Sequence, residues 1–416
     1  MLRALVLHLH PKVVPERALR FSSTFGLGGM ALVLVLLLLG TGVLLLLAYE
    51  PSVEGAYDSV AALRYDVPMG QFLRNLHRWS ANLALVLVVL HLLRVVFTGA
   101  LHGPRRGNWI VGLALLALVA GSNFTGYLLP WDQVSYWAVT ISTGMLDYVP
   151  GIGGFLLRAL RGGEEVGRRT LSTFFVLHAV FVPVLLVALL AVHFWLVRKA
   201  KGVVIPRAAA EETPDRGPLV ATSPSLTRRE GVAALVLLAA VAVASLLVDA
   251  PLAGPANPGL SPNPAKAPWY FMGLQELLIH FHPFFVVAVL PVAGLLLMVR
   301  AAKATASPAE GVWFASSNGR RIVAAAALAG AALTGVAVVL DAILPDLPSG
   351  LVVGLAPFLL AVGVAWGAVR LLGKALGAST EEASMAGFAA AAASYGMLTV
   401  IGVFFRGAGM ALTWPW

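Results

Sequence analysis

Residues 72–98 read FLRNLHRWSANLALVLVVLHLLRVVFT. As a helix, a stretch of this length reaches about 40 Å, enough to cross a hydrocarbon core of about 30 Å. It nevertheless carries His77 and His91, 14 residues apart. That interval is about 3.9 helical turns, so both rings lie on one face, separated by roughly 21 Å along the axis. Residues 171–197, LSTFFVLHAVFVPVLLVALLAVHFWLV, repeat the pattern with His178 and His193, 15 apart, or about 4.2 turns. Ionisable side chains inside apolar spans are costly and mark function.

The remaining sequence is of the same kind. Of 416 residues 59% are hydrophobic and 12% charged, against roughly 25% charged in a soluble domain. Nine apolar spans are expected, at 25–49, 72–98, 109–129, 171–197, 231–249, 284–302, 321–341, 351–373 and 385–405. The fold class is therefore an all-α polytopic membrane protein. The net charge of +9 does not point to nucleic acid, because the basic residues sit in alternate loops as the positive-inside rule requires. Arg3, Lys12, Arg17 and Arg20 precede the first span. Arg105 and Arg106, then Arg198, Lys199, Lys201, Arg228 and Arg229, then Arg300, Lys303, Arg320 and Arg321 fill the even-numbered connections. The intervening loops hold Glu50, Glu54, Asp58 and Asp66, then Asp132, Asp147, Glu164 and Glu165, then Asp341 and Asp346. The expectation is a multi-pass protein of a bacterial inner membrane, its N-terminus cytoplasmic and without a cleaved signal. The chain has no cysteine, which excludes disulfides, iron–sulfur ligation and covalent haem attachment through its own residues.

Four prolines (Pro206, Pro214, Pro218, Pro224) punctuate residues 198–230, a linker signature. The expected units are an N-terminal four-helix domain (1–205), a cytoplasmic linker (206–230), a C-terminal helical domain (231–341) that includes an outer loop, and further helices (342–416) ending in Trp414-Pro415-Trp416. The long connection 250–283 contains the apolar stretch Trp269-Tyr270-Phe271-Met272-Gly273-Leu274, and long loops of this sort are often functional.

Any one of the four histidines would be read first as a hydrogen-bonded core residue. Two matched pairs on two spans of the same direction favour two haems stacked along the membrane normal, His77 with His178 on the outer side and His91 with His193 on the inner. Zinc fits less well, since no Cys, Asp or Glu lies at ligand spacing, whereas bis-imidazole iron needs only two protein ligands. Gly28 and Gly42 on the first span and Gly112 and Gly126 on the third are also 14 apart. They read as small residues at haem level, though generic helix packing uses small residues too. Arg74, Arg78 and Arg94 flank the histidines and would pair with haem propionates; Arg74 has the alternative of anchoring its helix end.

Two stretches carry a family resemblance. Arg74-Asn75-Leu76-His77-Arg78-Trp79-Ser80-Ala81 and Gly126-Tyr127-Leu128-Leu129-Pro130-Trp131-Asp132-Gln133 resemble the cytochrome b subunit of quinol-oxidising bc-type complexes. The wider second histidine interval places the likeness nearer the photosynthetic and Gram-positive branch, and it extends over residues 25–341. The resemblance implies two non-covalent b haems and quinol oxidation at an outer site built from the 130–150 segment, with Trp131 and Tyr136, and from Trp269 and Tyr270. It implies quinone reduction at an inner site drawing on Lys199, Arg229 and Glu230, with proton translocation, and a quinone of the menaquinone or ubiquinone type. The implied partners are a Rieske iron–sulfur protein or another high-potential carrier, a cytochrome c subunit, membrane lipid and a second copy of the chain.

Three departures from the family pattern stand out. Where the family has Pro-Glu-Trp-Tyr, this chain has Ala267-Pro268-Trp269-Tyr270, and proline cannot take a proton. Glu276 is expected to accept it instead, with a carboxyl raised by partial burial; water, His280 or His282 are the alternatives. Gly26 occupies the position where the photosynthetic branch attaches an extra haem to cysteine. The spans at 351–373 and 385–405 are additional. Two further readings stay open. A dihaem anchor for a dehydrogenase is disfavoured by the 126–133 and 269–270 segments. A haem-free proton-coupled transporter would show matched broken helices, of which Pro183 and Pro291 are the only hints.

Overall fold

The computed structural model describes residues 10–205, 217–302, 319–343 and 377–414, with isolated positions between 363 and 375. Its helices are α1 (Leu27–Leu46), α2 (Ala56–Tyr65), α3 (Gly70–Phe97), α4 (Arg106–Leu128), α5 (Gln133–Gly144), α6 (Gly153–Arg161), α7 (Arg168–Lys199), α8 (Thr222–Leu247), α9 (Met272–His280), α10 (Phe285–Ala301), α11 (Gly319–Ile343) and α12 (Thr380–Phe404). Among the described residues, seven are long and apolar enough to cross a membrane (α1, α3, α4, α7, α8, α11, α12), and α10 is a shorter apolar helix. The expected span at 351–373 lies for the most part outside the described residues. Large apolar side chains such as Leu36, Leu44, Leu235, Leu246, Leu296 and Leu328 point outward, a surface that only a lipid solvent accommodates.

Helices α1 and α3 pack side by side, α4 packs on α7, and α8 closes against α3 and α1. The joints are apolar layers: Leu27, Ala31, Leu34, Ala84, Leu87 and Val241 in one, Val35, Leu85, Leu115, Val119 and Leu186 in another. On the side away from the N-terminus, α2, α5 and the start of α7 form a cap whose core is Ala56, Leu128, Trp131, Tyr136, Val139, Val166, Leu171 and Phe174. Asp132 begins α5 with a capping box, its carboxylate accepting from Ser135 N while Ser135 Oγ accepts from the Asp132 amide. The second Asp132 oxygen accepts from Ala253 N at 3.0 Å, which docks the long connection after α8 onto the cap.

The polar stretch expected as linker 206–230 is largely structured where it is described. Strand β1 (Val13–Pro15) pairs antiparallel with β2 (Leu219–Ala221), and α8 starts at Thr222, not near 231. Hydropathy locates only the part of a helix inside hydrocarbon; the first two turns of α8, with Arg228, Arg229 and Glu230, extend beyond it.

In the C-terminal half, α11 and α12 run against each other along their length. A Cβ on Gly330 would sit 2.6 Å from the Ala390 carbonyl oxygen, so only glycine permits this approach. Trp109 Nε1 donates to Met298 O at 2.9 Å and ties α4 to α10. Gly330→Val is expected to destabilise the α11–α12 pair by about 1–3 kcal/mol, lowering the thermal midpoint in detergent. Gly335→Ala, whose Cβ would meet only Met397 at 4.0 Å, should leave it in place; equal midpoints for both variants would contradict this packing.

Candidate functional site

The four intramembrane histidines meet in two pairs. His77 faces His178 with ring centroids 6.2 Å apart, and His91 faces His193 at 6.5 Å. The unequal intervals, 14 and 15, are reconciled inside α7. Leu177–Phe181 forms a single π-helical turn directly ahead of Pro183. Proline lacks the N–H and its ring crowds the carbonyl four residues back, so the turn widens and takes in one extra residue. His193 therefore returns to the same face as His178.

Each ring abuts one of the four glycines. A Cβ on Gly126 would lie 2.4 Å from His178 Cε1, on Gly28 3.2 Å from His91 Cε1, on Gly42 3.4 Å from His77 Cε1, and on Gly112 3.8 Å from His193 Cε1. The glycines thus sit beside the imidazoles themselves, two at each level. Helices α1 and α3 contribute one wall and α4 and α7 the other.

Hydrogen bonding fixes two of the rings. Thr41 Oγ1 donates to Leu37 O at 2.8 Å, so towards His77 Nδ1, 2.9 Å away, it accepts. His178 Nδ1 lies 3.0 Å from the Ser122 carbonyl, which also only accepts. Both Nδ1 atoms therefore carry the proton, and both Nε2 lone pairs are free to bind metal. His193 Nδ1 is buried without a partner. Among the described residues no group of three or more His, Cys, Asp or Glu is placed to hold a metal ion. The donor set suits a metal whose remaining ligands come from a planar macrocycle. Two metal–nitrogen bonds of about 2 Å each, plus the ring radii, account for the observed centroid separations. All four histidines are half-buried where the two helix pairs face each other, a cradle that a macrocycle would cover.

The three arginines expected to face haem propionates each have a protein neighbour. Arg74 donates to the carbonyls of Ala250 (2.8 Å) and Pro251 (2.6 Å), which anchors the connection after α8. Buried Arg94 donates to Ser23 O at 3.0 Å and to Val204 O. Arg78 lies over the Tyr127 ring, 4.8 Å from its centroid. Backbone carbonyls thus engage two of the three guanidinium groups.

On the far side, Trp131 and Tyr136 are buried against each other (5.5 Å) in the cap core. Trp269 Nε1 donates to Asn82 Oδ1 at 3.0 Å, bringing the loop to the flank of α3 just below His77. The Tyr270 hydroxyl is buried without a partner, and burial pushes it above the ordinary phenol range. Glu276 is 0% exposed, yet it is not the raised carboxyl expected from the sequence. Burial does push it up, but hydrogen bonds from His280 and Arg406 and the Arg406 charge together hold it below the usual carboxylate range. Arg406 Nε donates to both carboxylate oxygens at 3.0 and 3.1 Å. His282 turns away to the Tyr148 ring, 5.9 Å off.

The three residues expected at the inner site each have a protein neighbour. Lys199 lies over the Trp195 ring at 5.0 Å, Arg229 donates to Leu19 O, and Glu230 pairs with His10 at 3.2 Å. Reading the sequence missed Thr41, Ser122, Asp341 and Arg406. Thr41 lies beside Gly42, and that adjacency is the signal that points to it; nothing local distinguishes Arg406.

The family model described as Cytochrome b/b6/petB matches residues 13–201. The chain is similar to cytochrome b6 of Prochlorococcus marinus (strain NATL1A), 43% identical over 173 residues, covering 42% of this chain and 79% of that protein. It is 42% identical over the same length to cytochrome b6 of Synechococcus sp. (strain WH7803). Among solved structures, a chain of "Hyperthermophilic respiratory Complex III" shares the fold, with a TM-score of 0.65 at 23% identity over 91% of this chain and 90% of that one.

The glycine contacts make a graded prediction. Gly126→Ala forces His178 to move and should lower the thermal midpoint of the purified protein by several degrees, whereas Gly112→Ala, in ordinary contact with His193, should shift it little. The reverse order would contradict the packing.

Proposed function

Because the chain belongs to the cytochrome b/b6 family, we propose that it is the dihaem cytochrome b of a quinol-oxidising electron-transfer complex. Quinol is oxidised on the outer side and quinone reduced on the inner, with protons released outside and taken up inside. The observation that carries this reading is the pair of opposed imidazoles at each of two levels, 6.2 and 6.5 Å between ring centroids, each ring backed by a glycine. His77 with His178 would hold one b haem and His91 with His193 the other. Bound there, they supply one-electron redox centres at two depths in the membrane.

The chain's own residues set the direction. The Nδ1 protons of His77 and His178 are held by Thr41 and Ser122, which makes these imidazoles more basic, while His193 Nδ1 has no partner. The outer pair is the stronger electron donor, which favours transfer from the outer level to the inner. Trp269, bonded to Asn82 near His77, and buried Tyr270 bring the outer loop to the first level; this favours a quinol-oxidising cytochrome over a dihaem anchor. Lys199, Arg229 and Glu230 lie on the inner side, where quinone would be reduced. Residues 1–205 form the haem-holding domain and 231–341 carry the outer loop. The orientation is that of a bacterial inner-membrane protein with a cytoplasmic N-terminus. An external high-potential carrier of the Rieske or cytochrome c kind takes the second electron, within a dimeric complex.

His91→Leu should abolish the inner haem and leave the outer one, halving the b-type band in a reduced-minus-oxidised spectrum. Two full haems in that variant would overturn the assignment.

A further inference from the structure

A charged cluster on the far side joins three helices that are distant in sequence. Glu276 and His280 lie one turn apart on α9, Asp341 is near the end of α11, and Arg406 follows α12. His280 Nδ1 is 2.8 Å from Asp341 Oδ2 and its Nε2 is 3.4 Å from Glu276 Oε1. Arg406 covers the other side of Glu276 and also donates to Met410 O at 2.9 Å. Burial is graded along this chain: the Glu276 side chain is 0% exposed, His280 12% and Asp341 34%. Among the described residues, other titratable groups nearby point elsewhere, Lys266 to Val403 O and His282 to Tyr148.

With a neutral imidazole the cluster holds two carboxylates and one guanidinium, an excess of one negative charge. One proton on His280 neutralises it and leaves each ring nitrogen donating to a carboxylate. Imidazole is the side chain suited to gaining and losing protons near neutral pH, and it takes one up on one nitrogen while releasing one from the other. The cluster begins six residues after Tyr270, on the helix that continues directly from the Trp269–Phe271 turn. Tyr395 of α12 donates to Tyr270 O at 3.1 Å, and Gly273 lies against Tyr395 and Thr399. The loop and the cluster are therefore one packed unit.

We propose that His280, held between Glu276 and Asp341, is the proton-carrying group of the outer site, and that Arg406 is the positioning residue that holds the Glu276 carboxylate in place beside it. This rests on the reading that quinol is oxidised at the Trp269–Tyr270 segment. Each quinol gives up two electrons and two protons. One electron would pass to the level held by His77 and His178, where a b haem would supply the one-electron centre, and one to the external high-potential carrier. The protons pass singly through His280, which resets between them by release through Asp341 to solvent. Glu276 then serves as the buried counter-charge and is not itself the acceptor.

The test is stopped-flow measurement of haem reduction by a short-chain quinol between pH 5 and 8, on the full chain with its co-purifying subunits. His280→Gln should slow reduction at least about tenfold and flatten its pH dependence, with haem content and thermal midpoint retained and part of the rate restored by added imidazole. Asp341→Asn, at the half-exposed end, should slow it in the same direction and serves if His280→Gln does not fold; Arg406→Lys should keep most of the rate. Wild-type rates and an unchanged pH profile in both His280→Gln and Asp341→Asn would overturn the proposal and leave the cluster a structural staple. Wild-type protein whose haems respond to dithionite but not to quinol would remove the outer-site reading itself, and the relay with it.

Discussion

The structure depends on keeping four imidazoles inside a hydrocarbon-spanning bundle at the height and facing that two opposed pairs require. An imidazole N–H left unpaired in such surroundings costs about 1–3 kcal/mol. Three local features of the bundle answer that constraint. Glycines of α1 and α4 make room for the rings, most tightly at Gly126, where an added Cβ would collide with His178. Thr41 and the Ser122 carbonyl accept the Nδ1 protons at one level. A π turn ahead of Pro183 brings the 15-residue interval of α7 into step with the 14-residue interval of α3.

The two halves of the chain divide the work accordingly. The N-terminal helices hold the paired histidines, and the arginines that flank them tie down backbone: Arg74 fixes the connection after α8, and Arg94 joins α3 to the segments around Ser23 and Val204. The C-terminal helices organise the far-side loop. Gly402 lets α12 come against Met272, Gly273 admits Tyr395 and Thr399, and Arg406 closes over Glu276. Helix α12 is thus the clamp on the loop that carries Trp269 and Tyr270.

Periodicity and hydropathy made the fold class, the seven long described spans and the facing of the histidines legible, because each follows from helix geometry alone; the four glycines were expected at haem level, and in the structure they lie against the imidazoles. What escaped depended on contacts between distant segments. The start of α8 at Thr222 is stabilised partly by pairing of 219–221 with 13–15, and no local signal announces it. Glu276 read as a raised carboxyl because its own neighbours are apolar; its counter-ion comes from 130 residues downstream. The backbone carbonyls that Arg74 and Arg94 bind lie in segments distant in sequence, which no local signal reveals. Lys199, Arg229 and Glu230 were grouped by resemblance, and in the fold each is engaged with a separate neighbour.

The central claim is that the two histidine pairs are two sites for non-covalent haem. Its most direct test is the haem content of the purified wild-type protein by pyridine haemochromogen assay, followed by acid–acetone extraction. Two b-type haems per polypeptide, both extractable, are expected. A haem-free protein, a single haem, or haem that stays with the polypeptide after extraction would contradict it.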